Sequence, residues 1–190
     1  MDRLPFPTRD QLDDAGQGVW DSITASRGTI TTPEGTLMGP FNPWVIASGV
    51  GARLAELGAA LRFESSVERR LLEVAIITVG AHWRAEFEWW AHSRMALQHG
   101  VSRASVDAIA RGEDPPLLDD ERIVYDVARQ LVDDGHVDQP TYERARELLG
   151  DRGIVELITL CGYYTLVSFT LNAFDVALPP GQQPVWASQG

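Results

Sequence analysis

One run of residues constrains the fold more than any other: Leu71-Leu72-Glu73-Val74-Ala75-Ile76-Ile77-Thr78-Val79. A helix built on it is apolar nearly all round, and such a helix is stable in water only when other elements surround it. The run predicts a central buried helix and, with it, a helical bundle. The same run carries Glu73. Burying an unpaired carboxylate is expensive, so Glu73 is paired, protonated or in use. Arg69 and Arg70, one turn earlier, offer the structural answer of an ion pair on the same helix.

The rest of the chain reads as helix. Residues 9–26 carry Leu12, Val19 and Ile23 at helical spacing behind a capping box from Thr8 to Gln11. Residues 27–41 are rich in Gly, Thr and Pro, yet Leu37, Met38 and Phe41 are too apolar for a free linker and predict an ordered loop lying over something. Asn42-Pro43 reads as an N-cap and first helical position, opening a helix to Arg62 whose glycines and alanines allow close packing. Ser65 and Glu68 form a second capping box before the central helix. Further helices are expected over residues 84–99, 102–110, 119–133, 140–149 and 153–176, with Gly100, Gly112, Gly135 and Gly150 as stops. The tail from Pro179 reads as irregular, with Trp186 available to a neighbour. No period-two stretch with turn dipeptides recurs, so the expected class is all-α. The organisation is an N-terminal helix and loop over 1–41, a helical domain over 42–178 and a tail over 179–190.

The chemistry concentrates in Glu88-Trp89-Trp90-Ala91-His92. Four residues apart, Glu88 and His92 share one helix face, where a carboxylate fixes the imidazole tautomer and raises its basicity. That pairing suits proton transfer near neutral pH, with Trp89 and Trp90 as an apolar wall. The structural alternative is an ordinary surface pair worth a few tenths of a kcal/mol. His82 and Glu86 fall on a different stripe, roughly 120° round, so one helix cannot converge all four groups on a metal. No His-Glu-x-x-His or paired Glu-x-x-His pattern is present, and no metal or cofactor is expected. Tyr164 and Asn172 lie in the last apolar helix, either as donors into a pocket or as satisfied core groups. Arg84 and Arg94 flank the motif as the cations nearest to it for a substrate carboxylate.

A formal net charge of −11 argues against a nucleic-acid partner and against an anionic membrane surface. No run of about 18 consecutive apolar residues suggests a spanning helix, and no leader pattern opens the chain. Cys161 is the sole cysteine, which excludes an intrachain disulfide and fits a reducing, cytoplasmic compartment. Neither a phosphate-binding glycine loop nor a Gly-x-Ser-x-Gly elbow appears.

The stretches Glu68-Arg-Arg-Leu-Leu-Glu73-Val-Ala-Ile-Ile and Glu86-Phe-Glu88-Trp-Trp-Ala-His92-Ser-Arg-Met-Ala resemble the carboxymuconolactone decarboxylase family, in the superfamily that includes AhpD-like alkylhydroperoxidases. The resemblance runs over about residues 43–176. It implies an AhpD-like helical domain and homo-oligomers, as trimers or hexamers, with a dimer compatible with the N-terminal extension. It aligns Glu73 and His92 with a glutamate and a histidine of the peroxidase branch, whose Cys-x-x-Cys is replaced here by Ala85 and Glu88. A dithiol peroxidase is therefore not expected, and the Glu88–His92 pair points to the decarboxylase branch. The expectation is a cofactor-free acid–base lyase or isomerase on a small unsaturated carboxylic acid or lactone. His92, Glu88 and Glu73 are its catalytic candidates, and Trp89, Trp90, Tyr164 and Arg84 its substrate contacts. The alternatives are an oligomeric small-molecule-binding protein without chemistry, and a peroxidase-related protein without dithiol activity.

Overall fold

Helix α4 (Arg69–His82) is the axis of the structure, a computed structural model that describes residues 3–28 and 30–186. Every residue from Leu71 to Gly80 in it is buried. Around it pack α5 (Glu86–Gln98), α6 (Arg103–Arg111), α7 (Asp119–Asp134) and α8 (Gln139–Ala173). The all-round apolar run thus becomes the central helix its composition demands. The N-terminal part adds α1 (Asp14–Arg27), α2 (Phe41–Ile46) and α3 (Ser48–Phe63). Among the described residues there is no β-strand, only isolated bridges at Thr8–Thr36 and Thr31–Leu37.

Several local expectations change. The first predicted helix is two elements, a 3-10 turn (Arg9–Gln11) and α1, whose N-cap is Asp13, accepting from the Gly16 amide. Asn42 is no cap: it is buried inside α2, and its side-chain amide pairs with the backbone of Leu37 in both directions. That pairing ties the Gly/Pro-rich loop down, with Leu37 fully buried beneath it. The helix expected from Pro43 to Arg62 breaks at Ala47, with φ −101° and ψ 59°. The bend brings the Trp44 carbonyl onto Gly51, where a Cβ would overlap it, and Gly58 is pressed against the Tyr163 hydroxyl in the same way. Close approach at two positions explains the glycines better than general smallness does.

Ser65 does not cap α4. Its hydroxyl, with the hydroxyl and amide of Ser66, donates to Glu156 Oε2 at 2.7–2.8 Å. α8 divides at Gly150 (φ 69°, ψ 176°), where the sequence places its stop. By length and composition α8 could cross a membrane, with a mean hydropathy of 1.6, but half of the apolar window is buried in the bundle, which argues against a spanning role. Trp186 packs on its own chain. Its ring meets Trp89 at 5.3 Å and its indole N–H donates to the Ala110 carbonyl at 2.9 Å. The Glu86 carboxylate holds the tail there by accepting from the amides of Val185 and Trp186. Residues 1–2 and 187–190 of the expected extension and tail lie outside the described residues.

Candidate active site

The packing of α5 on α4 assembles the acid–base groups. Glu73 sits mid-way along α4, and Glu88 and His92 sit one turn apart on α5. Gly80 of α4 faces the Glu88 side chain and leaves room for it. His92 lies between the two carboxylates: Nδ1 is 2.6 Å from Glu73 Oε2, and Nε2 is 3.0 Å from Glu88 Oε1. All three are nearly inaccessible, with Glu73 at 0% and Glu88 and His92 at 4% exposure. Arg69 reaches Glu73 Oε1 at 2.6 Å. The two readings of Glu73 therefore hold together, as it is both ion-paired and joined to the imidazole. From α8, the Tyr164 hydroxyl stands 3.4 Å from His92 Nε2, its ring edge-on to the imidazole.

Electrostatics follow from this geometry. Burial alone would lower the His92 pKa, but the charges of Glu73 and Glu88 outweigh it and push the imidazole up to about 9. Burial works to raise the Glu73 pKa, yet the adjacent His92, with Arg69 and Arg62, holds the carboxyl below its ordinary value. The raised pKa favours the protonated imidazole and so suits His92 to donate a proton. Burial drives the Tyr164 hydroxyl well above its usual value, so it stays a neutral donor. Both ring nitrogens of His92 face carboxylates, and among the described residues no three His, Cys, Asp or Glu side chains are grouped to hold a metal ion.

His92, Glu88 and Tyr164 open onto a half-enclosed cavity of about 520 Å³, while Glu73 stands behind the imidazole. The walls are apolar, with Phe41 and Trp44 from α2, Phe87 and Trp90 from α5, and Met38 from the loop. The loop expected to lie over something thus lies over this cavity. The predicted contacts divide. Trp90 and Tyr164 line it, but Trp89 does not, because the adjacent position on α5 turns it to the other side, against Trp186. Arg84 is exposed, with φ 48°, and borders other clefts, since α5 begins after it and its backbone turns away. Asn172 caps α4 by donating to the Trp83 carbonyl at 2.7 Å and is likewise outside the site. The cations that line the cavity are Arg27 and Arg62. The sequence alone gave no signal for either, since each is simply a basic residue near a helix end. Cys161 is buried in the core away from the cavity, its thiol pushed up to about 12 by desolvation.

Residues 49–122 match the sequence model of the carboxymuconolactone decarboxylase family. No curated protein matches the chain. Among solved structures it is similar to an alkylhydroperoxidase AhpD core, an uncharacterized peroxidase-related protein from Ralstonia eutropha JMP134. That likeness has a TM-score of 0.76 at 15% identity and covers 94% of this chain and 93% of the other. An uncharacterized peroxidase-related protein from Silicibacter sp. TM1040 superposes with a TM-score of 0.72 at 15% identity, covering 93% and 91% of the two chains. The likeness extends across α1 and α2 as well as the segment that the family model matches, and at this identity it concerns the fold.

Proposed function

We propose that this chain is a member of the carboxymuconolactone decarboxylase/AhpD-like superfamily without a Cys-x-x-Cys pair, and that it is a cofactor-free acid–base enzyme, a lyase or isomerase acting on a small unsaturated carboxylic acid or lactone. One observation carries the reading: the His92 imidazole, held between two carboxyl groups, faces a largely apolar cavity of substrate size. In a decarboxylation, the carbon–carboxylate bond breaks and its electron pair moves into a conjugated carbonyl as CO2 leaves. His92 Nε2–H then protonates the resulting carbanion at carbon and is itself reprotonated from solvent. Glu73 keeps Nδ1 engaged and the ring oriented, acting as a positioning residue. Glu88, at the cavity surface, is the second acid–base group, and the neutral Tyr164 hydroxyl is placed to donate to developing oxyanion charge. The apolar walls favour loss of a charged carboxylate. An isomerase uses the same groups to remove a proton and return it elsewhere.

Stripes of exposed apolar residues, Val155, Ile158, Leu166 and Phe169 on α8 and Val50 and Leu57 on α3, support a homo-oligomer. The single cysteine supports a cytoplasmic setting. The deciding experiment incubates metal-free protein with unsaturated carboxylated lactones and β-keto acids and follows product mass and CO2. Turnover of one compound, lost in His92→Asn and Glu88→Gln but retained in Cys161→Ala, is the expected result. Full turnover in both acid–base variants removes the assigned roles, and saturable binding without turnover of any compound favours a binding protein.

A further inference from the structure

With 27 acidic side chains for 16 basic ones, this chain has carboxylates to spare for every arginine. Among the described residues, only Arg27, Arg53, Arg62, Arg84 and Arg94 lack a carboxylate oxygen within 4.0 Å. Arg53, Arg84 and Arg94 are exposed and solvated. Arg27 and Arg62 are not exposed, and both line the cavity of His92. Their Nε atoms are buried without a hydrogen-bond partner. A third orphaned donor, Trp90 Nε1, belongs to the same lining. Of the four buried side-chain donors without a partner among the described residues, three, on Arg27, Arg62 and Trp90, therefore belong to residues that line one cavity, and the fourth is Ser168 Oγ. Buried donors are normally satisfied, and unsatisfied ones in such numbers mark a place where a partner binds.

We infer that Arg27 and Arg62 form an anion clamp that binds a carboxylate that the substrate keeps through the reaction, not one lost as CO2, and sets its reacting carbon toward His92. Arg27 comes from the end of α1, outside the segment that the family model matches, and Arg62 from the end of α3. Each guanidinium is part-held by neutral groups only. Arg27 donates to the Ala55 carbonyl and lies 5.1 Å from the centre of the Phe41 ring, and Arg62 Nη2 touches Met95 Sδ. None of these contacts supplies a negative charge, whereas a carboxylate accepting from both would do so through charge-assisted N–H···O bonds. The two cations also sense each other, since burial and then the charge of Arg62 lower the Arg27 pKa. The clamp also accounts for the N-terminal segment, which completes the cavity and supplies one of its two charges. This assignment rests on the reading of the cavity as a substrate site, but not on the identity of the proton donor.

The test compares conjugated acids with their neutral amides: cinnamate against cinnamamide, and hexa-2,4-dienoate against its amide, by calorimetric titration of the full chain. The expected result is a preference for at least one acid of about tenfold or more, equivalent to about 1.4 kcal/mol. Arg27→Gln and Arg62→Gln each abolish that preference while leaving amide binding within about twofold, and the Lys variants retain part of it. Equal binding of acid and amide by the native protein overturns the clamp, as does failure of both acids to bind at about 10 mM. An equal loss of acid and amide binding in the Gln variants also overturns it, because a merely structural role predicts that pattern. Should the Gln variants fail to fold, the acid preference of the native protein and of the Lys variants decides. His92→Gln separates the two proposals. An acid preference that persists in His92→Gln, with no turnover by the native protein, leaves the clamp standing and removes the proton-transfer reading. His92-dependent turnover with equal acid and amide binding removes the clamp alone.

Discussion

Adjacent arginines on α4 hold two buried carboxylate clusters, and the clusters differ in what is left unsatisfied. Arg70 grips Asp120 at 2.5 Å and Glu121 at 2.8 Å, tying α4 to the start of α7. The remaining oxygens of that cluster accept from backbone amides, Asp120 Oδ1 from Glu121 and Glu121 Oε2 from Leu118. Arg69 holds Glu73, which passes its other oxygen to His92, which faces Glu88. Here Glu73 Oε1 and Glu88 Oε1 lack a well-aligned hydrogen bond, and the chain of groups ends at a cavity. Burial and charge are common to both, so neither marks a site. What separates them is an imidazole able to change charge, and polar atoms left for something else to satisfy.

The largest expected effects test that distinction directly. His92→Gln should lower turnover of the identified substrate by a factor of about 10² to 10⁴, the usual worth of a positioned acid–base group, with helical circular dichroism unchanged. Arg70→Met should do the reverse. It leaves Glu121 buried without its cation and costs about 2 kcal/mol of stability, read by urea unfolding, with turnover per folded molecule preserved. The comparison breaks if Arg70→Met abolishes turnover in a folded protein, or if His92→Gln merely destabilises.

The second effect is on pH dependence. The His92 pKa is raised in the folded protein to about 9, from an ordinary 6.5. Its contribution to stability is therefore complete below about pH 6.5 and lost as pH rises through about 9, with a size on the order of 3 kcal/mol. Unfolding free energies should fall over that window. Glu73→Gln removes one of the two carboxylates that raise the pKa, so the loss should be smaller and end at lower pH. The His92 ring protons, followed by NMR, should titrate correspondingly earlier. Activity that uses the imidazolium should show a descending limb near pH 9, moved down in the same variant. An unmoved limb would remove Glu73 as the residue that tunes His92.

These groups were unequally legible in the sequence. Glu88 and His92 declared themselves because helical spacing places them together wherever the helix goes. Glu73 declared itself because a carboxylate in so apolar a run requires an explanation. The central helix and the all-α class followed from the same run, and the break in α8 from Gly150. Which neighbouring tryptophan faces the cavity was not readable, because Trp89 and Trp90 differ only in which side of α5 is occupied by the tail. Arg84 was the nearest cation in sequence, but nearness along a chain is no guide across a turn with φ 48°. Arg27 and Arg62 reach the cavity through the packing of α1 and α3, a tertiary fact with no local signature. The small-residue helix hid its break at Ala47 because the determinant is Trp44 against Gly51.

The smallest expected effect sharpens the comparison from the acid side. Asp120 gains a short ion pair with Arg70 and accepts a hydrogen bond from the Glu121 backbone N–H, and these hold its carboxyl below the ordinary value despite some desolvation. A carboxyl with a lowered folded pKa stabilises the protein above its unfolded pKa and loses that contribution as pH falls through the folded one. Because Asp120 is about one-third exposed, solvent screens the pair, and Asp120→Asn should cost about 1 kcal/mol at neutral pH. Turnover and the alkaline limb should be unchanged. The variant should lose less stability than the native protein as pH falls below the ordinary aspartate range and through the lowered pKa of the native Asp120. The Arg70 cluster thus weakens in acid and the His92 cluster in base. A shift of the alkaline limb in Asp120→Asn would show that the two are coupled through α4, and the division between a structural and a catalytic cluster would fail.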